Sequence, residues 1–367
     1  MKPKVPVSKL GRAILGTVFL LLVFGLVAVS SASAVISFER FGHNNYYFFR
    51  QLIFAAVGLL AIYVFSRIDY HFWKSWSRPI MLFGLLFLAL VLVPALGFQP
   101  SGARSWFRFG SFFLQPAEFV KLAVIFYLAS WFVRKKEAET NFWFGILPPV
   151  LVVSLALALI AFEPDIGTAA VLGIIVIIML FAAGTRIQYL GGLLVSGLLA
   201  LWLAVKLAPY RAARIITFLD PSLDPRGSGY HLQQALLAIG SGGWWGYGFG
   251  ASRQKHNYLP EPIGDSIFAI MAEELGFVRI VVVVLLFLAL ALLGLRLAHR
   301  TEERFGRLLA VGITGWLGLQ ALVNIGALSG LLPLTGIPLP FISYGGSSLL
   351  ASCMAIGVLL NISRQRL

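Results

Sequence analysis

The stretch IGTAAVLGIIVIIMLFAAGTRIQYLGGLLVSGLLALWLAVK, from Ile166 to Lys206, decides the fold class of this chain. It holds two long apolar runs that are separated by a short turn containing Arg186. A helix of about 20 apolar residues matches the thickness of the hydrocarbon core of a bilayer. The stretch therefore predicts two consecutive transmembrane helices joined by a short loop.

The same pattern continues over the whole chain of 367 residues, of which 59% are hydrophobic and only 12% are charged. A soluble domain of this size could not bury so much apolar surface. A closed membrane barrel is excluded because its strands would alternate polar and apolar residues. We therefore predict an all-α polytopic membrane protein with about ten transmembrane helices. They lie near residues 13–36, 48–66, 79–97, 115–133, 142–162, 166–184, 187–206, 265–295, 308–329 and 342–362.

Lysine and arginine are distributed unevenly between the two sides of these predicted helices. If the N-terminus lies inside, the short inner segments carry 17 basic residues, whereas the short outer segments carry only Arg40, Arg50, Arg104 and Arg108. Because short cytoplasmic loops are enriched in Lys and Arg, both termini are predicted to be cytoplasmic. The net charge of +14 largely follows from this bias. The basic residues form no single patch, which argues against nucleic-acid binding.

The chain shows no change of composition that would mark a second domain, so residues 1–367 are predicted to form one membrane domain. Its N-terminal apolar run ends in Ala32-Ser33-Ala34 and imitates a signal peptide, but we expect an uncleaved first helix because the run is long. Cys353 is the only cysteine, which excludes an internal disulfide and a thiolate metal cluster.

One connection is unusually long, the outer loop at 207–264 between the seventh and eighth helices. Loops of this length are usually functional or disordered. Disorder fits poorly, because ARIITFL and LQQALLAIG are apolar enough to lie at the interface or to pack on the helices. The segment from Gly240 to Gly248 combines glycines, which allow close backbone approach to a ligand, with aromatic rings typical of the bilayer interface.

Charges inside predicted helices are costly in a membrane and therefore indicate function or pairing. Glu118 and Lys121 share one face of the fourth helix, where they either form a structural ion pair or take part in the chemistry. Glu273 and Glu274 could form a proton path, but we interpret them as structural groups that bind backbone donors or basic partners.

Three outer segments carry further candidate residues. Asp165 is interpreted as the cap of the sixth helix. In LTGIPLPFISYGGSS, the prolines and glycines predict a re-entrant segment buried in protein. Its end could present backbone amides to a phosphate, or form a plain turn and cap. In HNYLPEPIGDSIFAIMAEELGF, Asp265 stands before the eighth helix, where it is either a cap or a base held against a substrate.

Together these segments resemble the SEDS family (shape, elongation, division and sporulation) of peptidoglycan polymerases. The resemblance covers essentially the whole chain and rests on separate motifs. They are GARSWFRFG with QPAEFVK, EPDIGTA, RIITFLDPSLDPRGSGYH, QALLAIGSGGWWGYGFG, LPEPIGDSIFAIMAEELGF and LLPLTGIPLPFISYGGSS. The DPRGSGYH segment is more similar to the RodA elongation branch. Ala117, Gly264, Ser266 and Arg279 depart from the usual family residues.

The resemblance implies a reaction in which a growing glycan moves from undecaprenyl pyrophosphate to the sugar 4-hydroxyl of lipid II, supporting cell elongation and rod shape. Asp265 is then the catalytic base, since the attacking hydroxyl must lose a proton. Positive charge and backbone amides would hold the pyrophosphate. The candidates for substrate binding are Arg104, Arg108, Glu118, Lys121, Arg211, Arg214, Ser343, Gly345 and Gly346.

The resemblance also implies partners and a location. We expect a multi-pass protein of the bacterial cytoplasmic membrane that binds lipid II, a nascent glycan lipid and a class B penicillin-binding protein, a transpeptidase. No cofactor is demanded by the sequence, although Mg²⁺ or Mn²⁺ is compatible with the chemistry. Two other functions remain open from the residues, a lipid II flippase or transporter and a non-enzymatic scaffold of a cell-wall synthesis complex.

Overall fold

The computed structural model describes residues 8–99, 104–110, 112–135, 141–206, 209–220, 223–224 and 227–365. Helices dominate this part of the chain. Their bounds are α1 Lys9–Ala32, α2 Ala34–Phe41, α3 Tyr46–Arg67, α4 His71–Val91, α5 Pro116–Arg134, α6 Leu147–Phe162, α7 Ile166–Ala183, α8 Ile187–Lys206, α9 Pro209–Leu219, α10 Ser228–Ser241, α11 Ile267–Arg300, α12 Arg304–Leu328 and α13 Gly346–Ile362.

Ten of these helices correspond to the ten predicted crossings. Within the described ranges, nine are long and apolar enough to span a membrane, counting α6 together with the π-helical turn Phe142–Ile146 that leads into it. The tenth is α13, which is apolar but shorter. The fold is therefore that of an all-α polytopic membrane protein, and an even number of crossings returns the C-terminus to the side of the N-terminus.

The third crossing differs from its prediction of 79–97. Helix α4 begins at His71 and ends at Val91, with Pro79 in its interior. Its polar first turns are held by aromatic packing, since the Trp73 ring stacks between Phe65 of α3 and Phe126 of α5, each with a centroid distance of 5.0 Å. Hydropathy alone does not predict residues 71–78 as part of the helix, because Lys74 and nearby polar residues interrupt the apolar pattern.

A small antiparallel sheet, which the sequence did not predict, lies between α4 and α5. Its strands are β1 Gly97–Phe98, β2 Trp106–Phe109 and β3 Phe112–Leu114, in the order β1-β2-β3. Phe107 pairs with Gly97 on one side and with Leu114 on the other. Strands of two to four residues are too short to show an alternating pattern, which is why the sequence did not reveal them.

Helix α5 is the central helix of the bundle. Most of its residues are buried on every side, whereas Leu190 is the only buried residue of α8. Helix association in lipid depends on close packing, and small residues allow it. A Cβ atom at Gly58 would lie 2.8 Å from Cys353 Sγ, and one at Gly357 would lie 2.5 Å from Phe65 Cβ. These contacts bring α3 and α13 together beside α5.

Helix α11 is interrupted at Gly276, whose φ of 74° and ψ of 174° are not helical. The segment that follows α10 repairs the break through its own backbone. Its amides donate to the freed carbonyls of α11, and its carbonyls accept from the freed amides. The four bonds join Tyr247 N to Glu273 O (3.1 Å), Gly248 N to Glu274 O (3.0 Å), Phe277 N to Gly243 O (2.8 Å) and Val278 N to Trp244 O (3.2 Å).

Glycine is required at this junction. A Cβ atom at Gly276 would lie 2.2 Å from Gly246 N, and one at Gly246 would lie 2.2 Å from Glu274 O. Broken backbone is tolerated at membrane depth only where protein satisfies the freed groups. The aromatic and glycine-rich segment therefore packs on the bundle, as the sequence indicated, and it fixes the first part of α11.

Candidate active site

Asp265 lies just before α11, but it does not cap that helix. The N-cap is Ser266, which makes no side-chain capping bond. The Asp265 backbone carbonyl accepts a 2.8 Å bond from Asn324 Nδ2, which anchors the residue to α12. Ser266 Oγ lies 3.4 Å from its carboxylate, and the backbone amides of Asp265 and Ser266 also act on it. These contacts cap no helix, so the capping interpretation fails, and a role as a base remains open to the carboxylate.

The electrostatic surroundings of Asp265 suit a base. Burial raises the pKa of the Asp265 carboxyl to about 6, and the positive charge of Arg214 limits that rise. The best general base has a pKa close to the working pH. A half-buried carboxyl of this kind is ionised at neutral pH and can still accept a proton.

His231 of α10, which the sequence analysis did not single out, positions the residue beside Asp265. Its Nε2 lies 2.7 Å from Ser266 Oγ, and that hydroxyl donates to Pro260 O at 2.7 Å. Burial, with Arg214 nearby, lowers the pKa of His231 to about 4, so the imidazole is neutral. Because the Ser266 proton is engaged, Nε2 is the donor in this pair. The only sequence signal was its place in the motif DPRGSGYH.

The buried segment between α12 and α13 forms the opposite wall, and it is non-helical as predicted. Two amides one turn apart on α12 hold it, with Gln320 Nε2 donating to Pro338 O (2.9 Å) and Asn324 Nδ2 to Ile337 O (2.8 Å). A Cβ atom at Gly336, which has a φ of 72°, would lie 3.7 Å from Asp265 Oδ2. The segment thus places its backbone directly against the carboxylate.

Glu118 and Lys121 form a fully buried ion pair on α5. Lys121 Nζ lies 2.8 Å from Glu118 Oε1 and 2.8 Å from Gln320 Oε1. It also lies 5.1 Å from the centre of the Trp316 ring. Since Gln320 also holds the re-entrant segment, the pair is connected to the wall that faces Asp265. The polar amides inside α12 were a signal that the sequence analysis overlooked.

The turn before α7 adjoins this pair. Asp165 Oδ1 accepts from Thr168 N at 3.0 Å, which confirms the predicted cap, and Oδ2 accepts from Gln115 Nε2 at 3.0 Å. Burial raises the pKa of Asp165, and the charges of Glu118 and Lys121 act on it as well. A Cβ atom at Gly167 would lie 2.6 Å from Thr335 O. The start of α7 therefore packs against the same re-entrant segment.

The arginine candidates divide into two groups. Arg214 on α9 is exposed and acts electrostatically on Asp265. Arg104 reaches back to Leu92 O at 3.4 Å, and Arg108 on β2 packs over the Phe98 ring at 5.2 Å. The side chain of Arg211 lies outside the described residues. Among the arginine candidates whose side chains the structure describes, only Arg214 acts electrostatically on Asp265.

Of the two roles left open for Ser343, phosphate binding and a plain turn, the structure shows the turn. The amide of Ser343 donates to Leu339 O at 3.0 Å, and its hydroxyl accepts from Leu339 N at 2.8 Å, so it closes a tight turn. Gly345 is the N-cap of α13 and Gly346 is its first residue. A Cβ atom at Gly346 would lie 2.8 Å from the Phe54 ring, which shows that glycine serves packing there.

Glu273 and Glu274 anchor the long outer loop, which confirms the structural interpretation. Glu273 accepts bonds from Ser252 Oγ (2.5 Å) and from the amide of Arg253 (3.0 Å). Glu274 pairs with Lys255 Nζ at 3.1 Å and accepts from Ser31 Oγ of α1 at 2.6 Å. The two carboxylates therefore join α1, α11 and the loop, and they are occupied by structural partners.

The arrangement provides the Asp265 carboxylate, the nearby cation Arg214 and the buried Glu118–Lys121 pair, which Gln320 connects to the segment between α12 and α13. Over the ranges that the structure describes, no three His, Cys, Asp or Glu side chains form a group that could hold a metal ion. Such a site can accept a proton from a hydroxyl and can stabilise a departing anion.

Comparisons with known proteins agree with this architecture. Residues 12–367 match the family model of FtsW, RodA and SpoVE, described as "Cell cycle protein". Stage V sporulation protein E of Bacillus subtilis is 44% identical over 348 residues, covering 94% of each chain. The probable peptidoglycan glycosyltransferase FtsW of Geobacter metallireducens is 43% identical over 341 residues, covering 93% of this chain and 91% of that protein.

Two solved structures share the fold. One is a chain from the work described as "Structural coordination of polymerization and crosslinking by a peptidoglycan synthase complex", with a TM-score of 0.80 and 30% identity over 96% of this chain and 97% of that chain. The other is the rod shape determining protein RodA of Thermus thermophilus, with a TM-score of 0.70 and 28% identity over 96% of each chain. This chain therefore belongs to the FtsW, RodA and SpoVE family, the SEDS family, and is a multi-pass protein of the bacterial cytoplasmic membrane.

Proposed function

We propose that this chain is a peptidoglycan glycosyltransferase that polymerises lipid II at the outer face of the membrane. The observation that carries the proposal is the Asp265 carboxylate, which does not cap α11. Burial raises its pKa to about 6, and the cation Arg214 lies nearby. In the reaction, the 4-hydroxyl oxygen of lipid II forms a bond to the anomeric carbon of the growing glycan. The bond from that carbon to undecaprenyl pyrophosphate breaks, and Asp265 takes the hydroxyl proton.

The other residues of the site have supporting roles in this proposal. The departing pyrophosphate gains negative charge, which fixed positive charge stabilises. Arg214 is exposed beside Asp265 and is available for this purpose. Lys121 is held by Glu118 and Gln320. It therefore supports the segment between α12 and α13 and adds positive charge to the electrostatic potential of the site. Because pyrophosphate is a good leaving group, one catalytic carboxylate is sufficient.

The test is polymerisation of purified lipid II by the purified chain in detergent. The proposal predicts long glycan strands from the wild type and none from Asp265→Ala at equal folded concentration. A flippase or a scaffold makes no glycan, so the absence of product from well-folded wild type contradicts the proposal. Adding EDTA, then Mg²⁺ or Mn²⁺, measures any contribution of a divalent ion to the departure of pyrophosphate.

For the cellular role, we propose cell elongation and rod shape. The DPRGSGYH segment supports this branch, and the fold is shared with a protein named rod shape determining protein RodA. The sequence relatives named FtsW and stage V sporulation protein E favour division or sporulation as the second candidate. Expression in cells depleted of their own elongation or division polymerase separates the roles, because only the matching depletion is rescued.

We also propose a class B penicillin-binding protein as the partner. This chain shares its fold with a chain from a complex described as coordinating polymerization and crosslinking. The outer segment that contains α9 and α10 leads directly to Asp265, so a partner docked on that face could order the site. The initial rate at saturating lipid II should rise when a transpeptidase-inactive partner is added. Equal rates with confirmed binding would leave the partner as a tether.

A further inference from the structure

A second site lies at the opposite, cytoplasmic end of the bundle, and it is independent of the proposed polymerase activity. A shallow cavity that opens to the outside lies between α4 and α5. Three cations line it, namely Arg78, Arg134 and Lys135, together with Tyr127, Trp131 and two serines. The mechanism at Asp265 uses none of these residues.

Two of the cations are held in place by backbone carbonyls. Arg134 Nη2 donates to Lys74 O at 2.5 Å, and Ser130 Oγ donates to the same carbonyl at 3.0 Å. Lys135 Nζ donates to Phe144 O at 3.1 Å and lies 4.7 Å from the centre of the Trp131 ring. These contacts order the positive groups before any ligand arrives, which reduces the entropic cost of binding.

The cavity is lined by positive charge and by a phenol. Among the described residues, none of the ion pairs involves Arg78, Arg134 or Lys135. Tyr127 is only 7% exposed, lines the cavity and makes no hydrogen bond to any described residue. Arg78 is close enough to act electrostatically on the Tyr127 phenol.

We propose that this cavity binds the phosphate group of an anionic phospholipid from the inner leaflet. A phosphate offers several strong acceptor oxygens, which match guanidinium, ammonium and phenol donors. Basic pockets between transmembrane helices on the cytoplasmic side suit lipid head groups. The exposed rings of Trp76 and Trp143 lie on the chain near the cavity residues and are typical of the bilayer interface. A lipid is therefore favoured over a soluble phosphate compound.

The test uses the full-length protein, delipidated in detergent, and measures its thermal stability during titration with phosphatidylglycerol. The lipid should raise the melting temperature of the wild type, while phosphatidylcholine and inorganic phosphate should have little effect. Arg78→Gln should weaken the affinity about tenfold, since a charged hydrogen bond is lost. Tyr127→Phe should weaken it less. The matched control is Arg296→Gln, which removes an exposed cation from the same side of the membrane and should change nothing.

Three outcomes would overturn the proposal. The first is an equal effect of the anionic and the zwitterionic lipid on the wild type. The second is an equal loss of affinity in Arg78→Gln and Arg296→Gln, which would indicate general surface charge. The third is an inorganic phosphate effect as large as that of the lipid, which would assign the cavity to a soluble phosphate. Because the measurement does not involve polymerisation, it stands apart from the test of Asp265.

Discussion

Two outer turns of this protein have similar sequences and opposite chemistry. EPDIGT precedes α7 and EPIGD precedes α11, and each places an aspartate beside a helix start. Both carboxylate oxygens of Asp165 are engaged by Thr168 and Gln115. The carboxylate of Asp265 caps no helix and has near it the Ser266 hydroxyl, at 3.4 Å, and the backbone amides of Asp265 and Ser266. A position before a helix therefore does not define the role of an aspartate; its hydrogen-bond partners do.

The glutamates of the two turns differ as well. Glu163 is completely buried, and its carboxyl oxygens have no well-formed hydrogen bond to any described residue, with Ser105 the nearest donor that acts on them. Burial raises the pKa of Glu163 to about 8, so the group is largely protonated at neutral pH. Burial and the charge of Asp265 raise the pKa of Glu261, but the cation Arg40 opposes that rise. The turn at Glu163 is thus buried and serves the structure, whereas the turn at Glu261 faces charged groups.

The largest effect is expected for Asp265→Asn. The amide keeps the size of the side chain but cannot accept the proton, so the polymerisation rate should fall by about 10²–10⁴-fold. The melting temperature should stay close to that of the wild type, because the carboxylate caps no helix and makes no ion pair with a described residue. Rate and melting curves on the same preparations check this. A stable Asp265→Asn variant with a near-normal rate would contradict the role of Asp265 as a base and leave no functional difference between it and Asp165.

The next effect concerns the buried pair that adjoins the first turn. Lys121→Met leaves Glu118 buried without its cation and should destabilise the protein by about 3–5 kcal/mol. Replacing both residues, with Glu118→Leu added, should restore much of that loss. Thermal or denaturant melting of the single and double variants measures the difference. If Lys121→Met is fully stable but inactive, Lys121 belongs to the substrate site.

Glu163→Gln tests whether Glu163 is buried and protonated in the folded protein. The raised pKa means that the folded state holds a proton that the unfolded state releases, so stability falls as pH rises from about 4.5 to about 8. Between pH 6 and 8 this loss is on the order of 2 kcal/mol in the wild type and should be absent in the glutamine variant. Melting temperatures across that range decide the matter. Parallel curves for both proteins would show that Glu163 does not titrate there.

The smallest effect is expected for Asp165→Ala. Loss of a helix cap costs about 1 kcal/mol, and the bond from Gln115 disappears as well. Asp265→Ala should cost less stability than Asp165→Ala, although it removes the activity. The comparison uses melting curves of the two alanine variants under one condition. A larger destabilisation in Asp265→Ala would mean that its carboxylate is structural after all.

The sequence predicted the membrane helices because length and hydropathy are local properties. It also indicated the cap at Asp165, the re-entrant segment and the structural role of Glu273 and Glu274. It did not predict the sheet, since very short strands carry no periodicity, nor the break at Gly276, since the repair comes from a segment about 30 residues away.

The candidate site was only partly predictable for a similar reason. Asp265 was identified through a motif, but the residues that hold it lie far away in the sequence. Asn324 and His231 reach it from α12 and α10, and such pairings depend on the tertiary fold. Two roles stayed open for Ser343 because a glycine-rich helix start can bind a ligand or close its own turn, and the local pattern is the same in both cases.

The most direct test of the central claim is the pH dependence of polymerisation at saturating lipid II. A free Asp265 carboxylate predicts a rate that falls below an apparent pKa of about 6. Because Arg214 holds that pKa down, Arg214→Gln should move the acidic limb to higher pH, while the control Arg253→Gln should leave it in place. A rate that is constant from pH 5 to 8, or a limb at the same pH in Arg214→Gln, would contradict the assignment of Asp265 as the base.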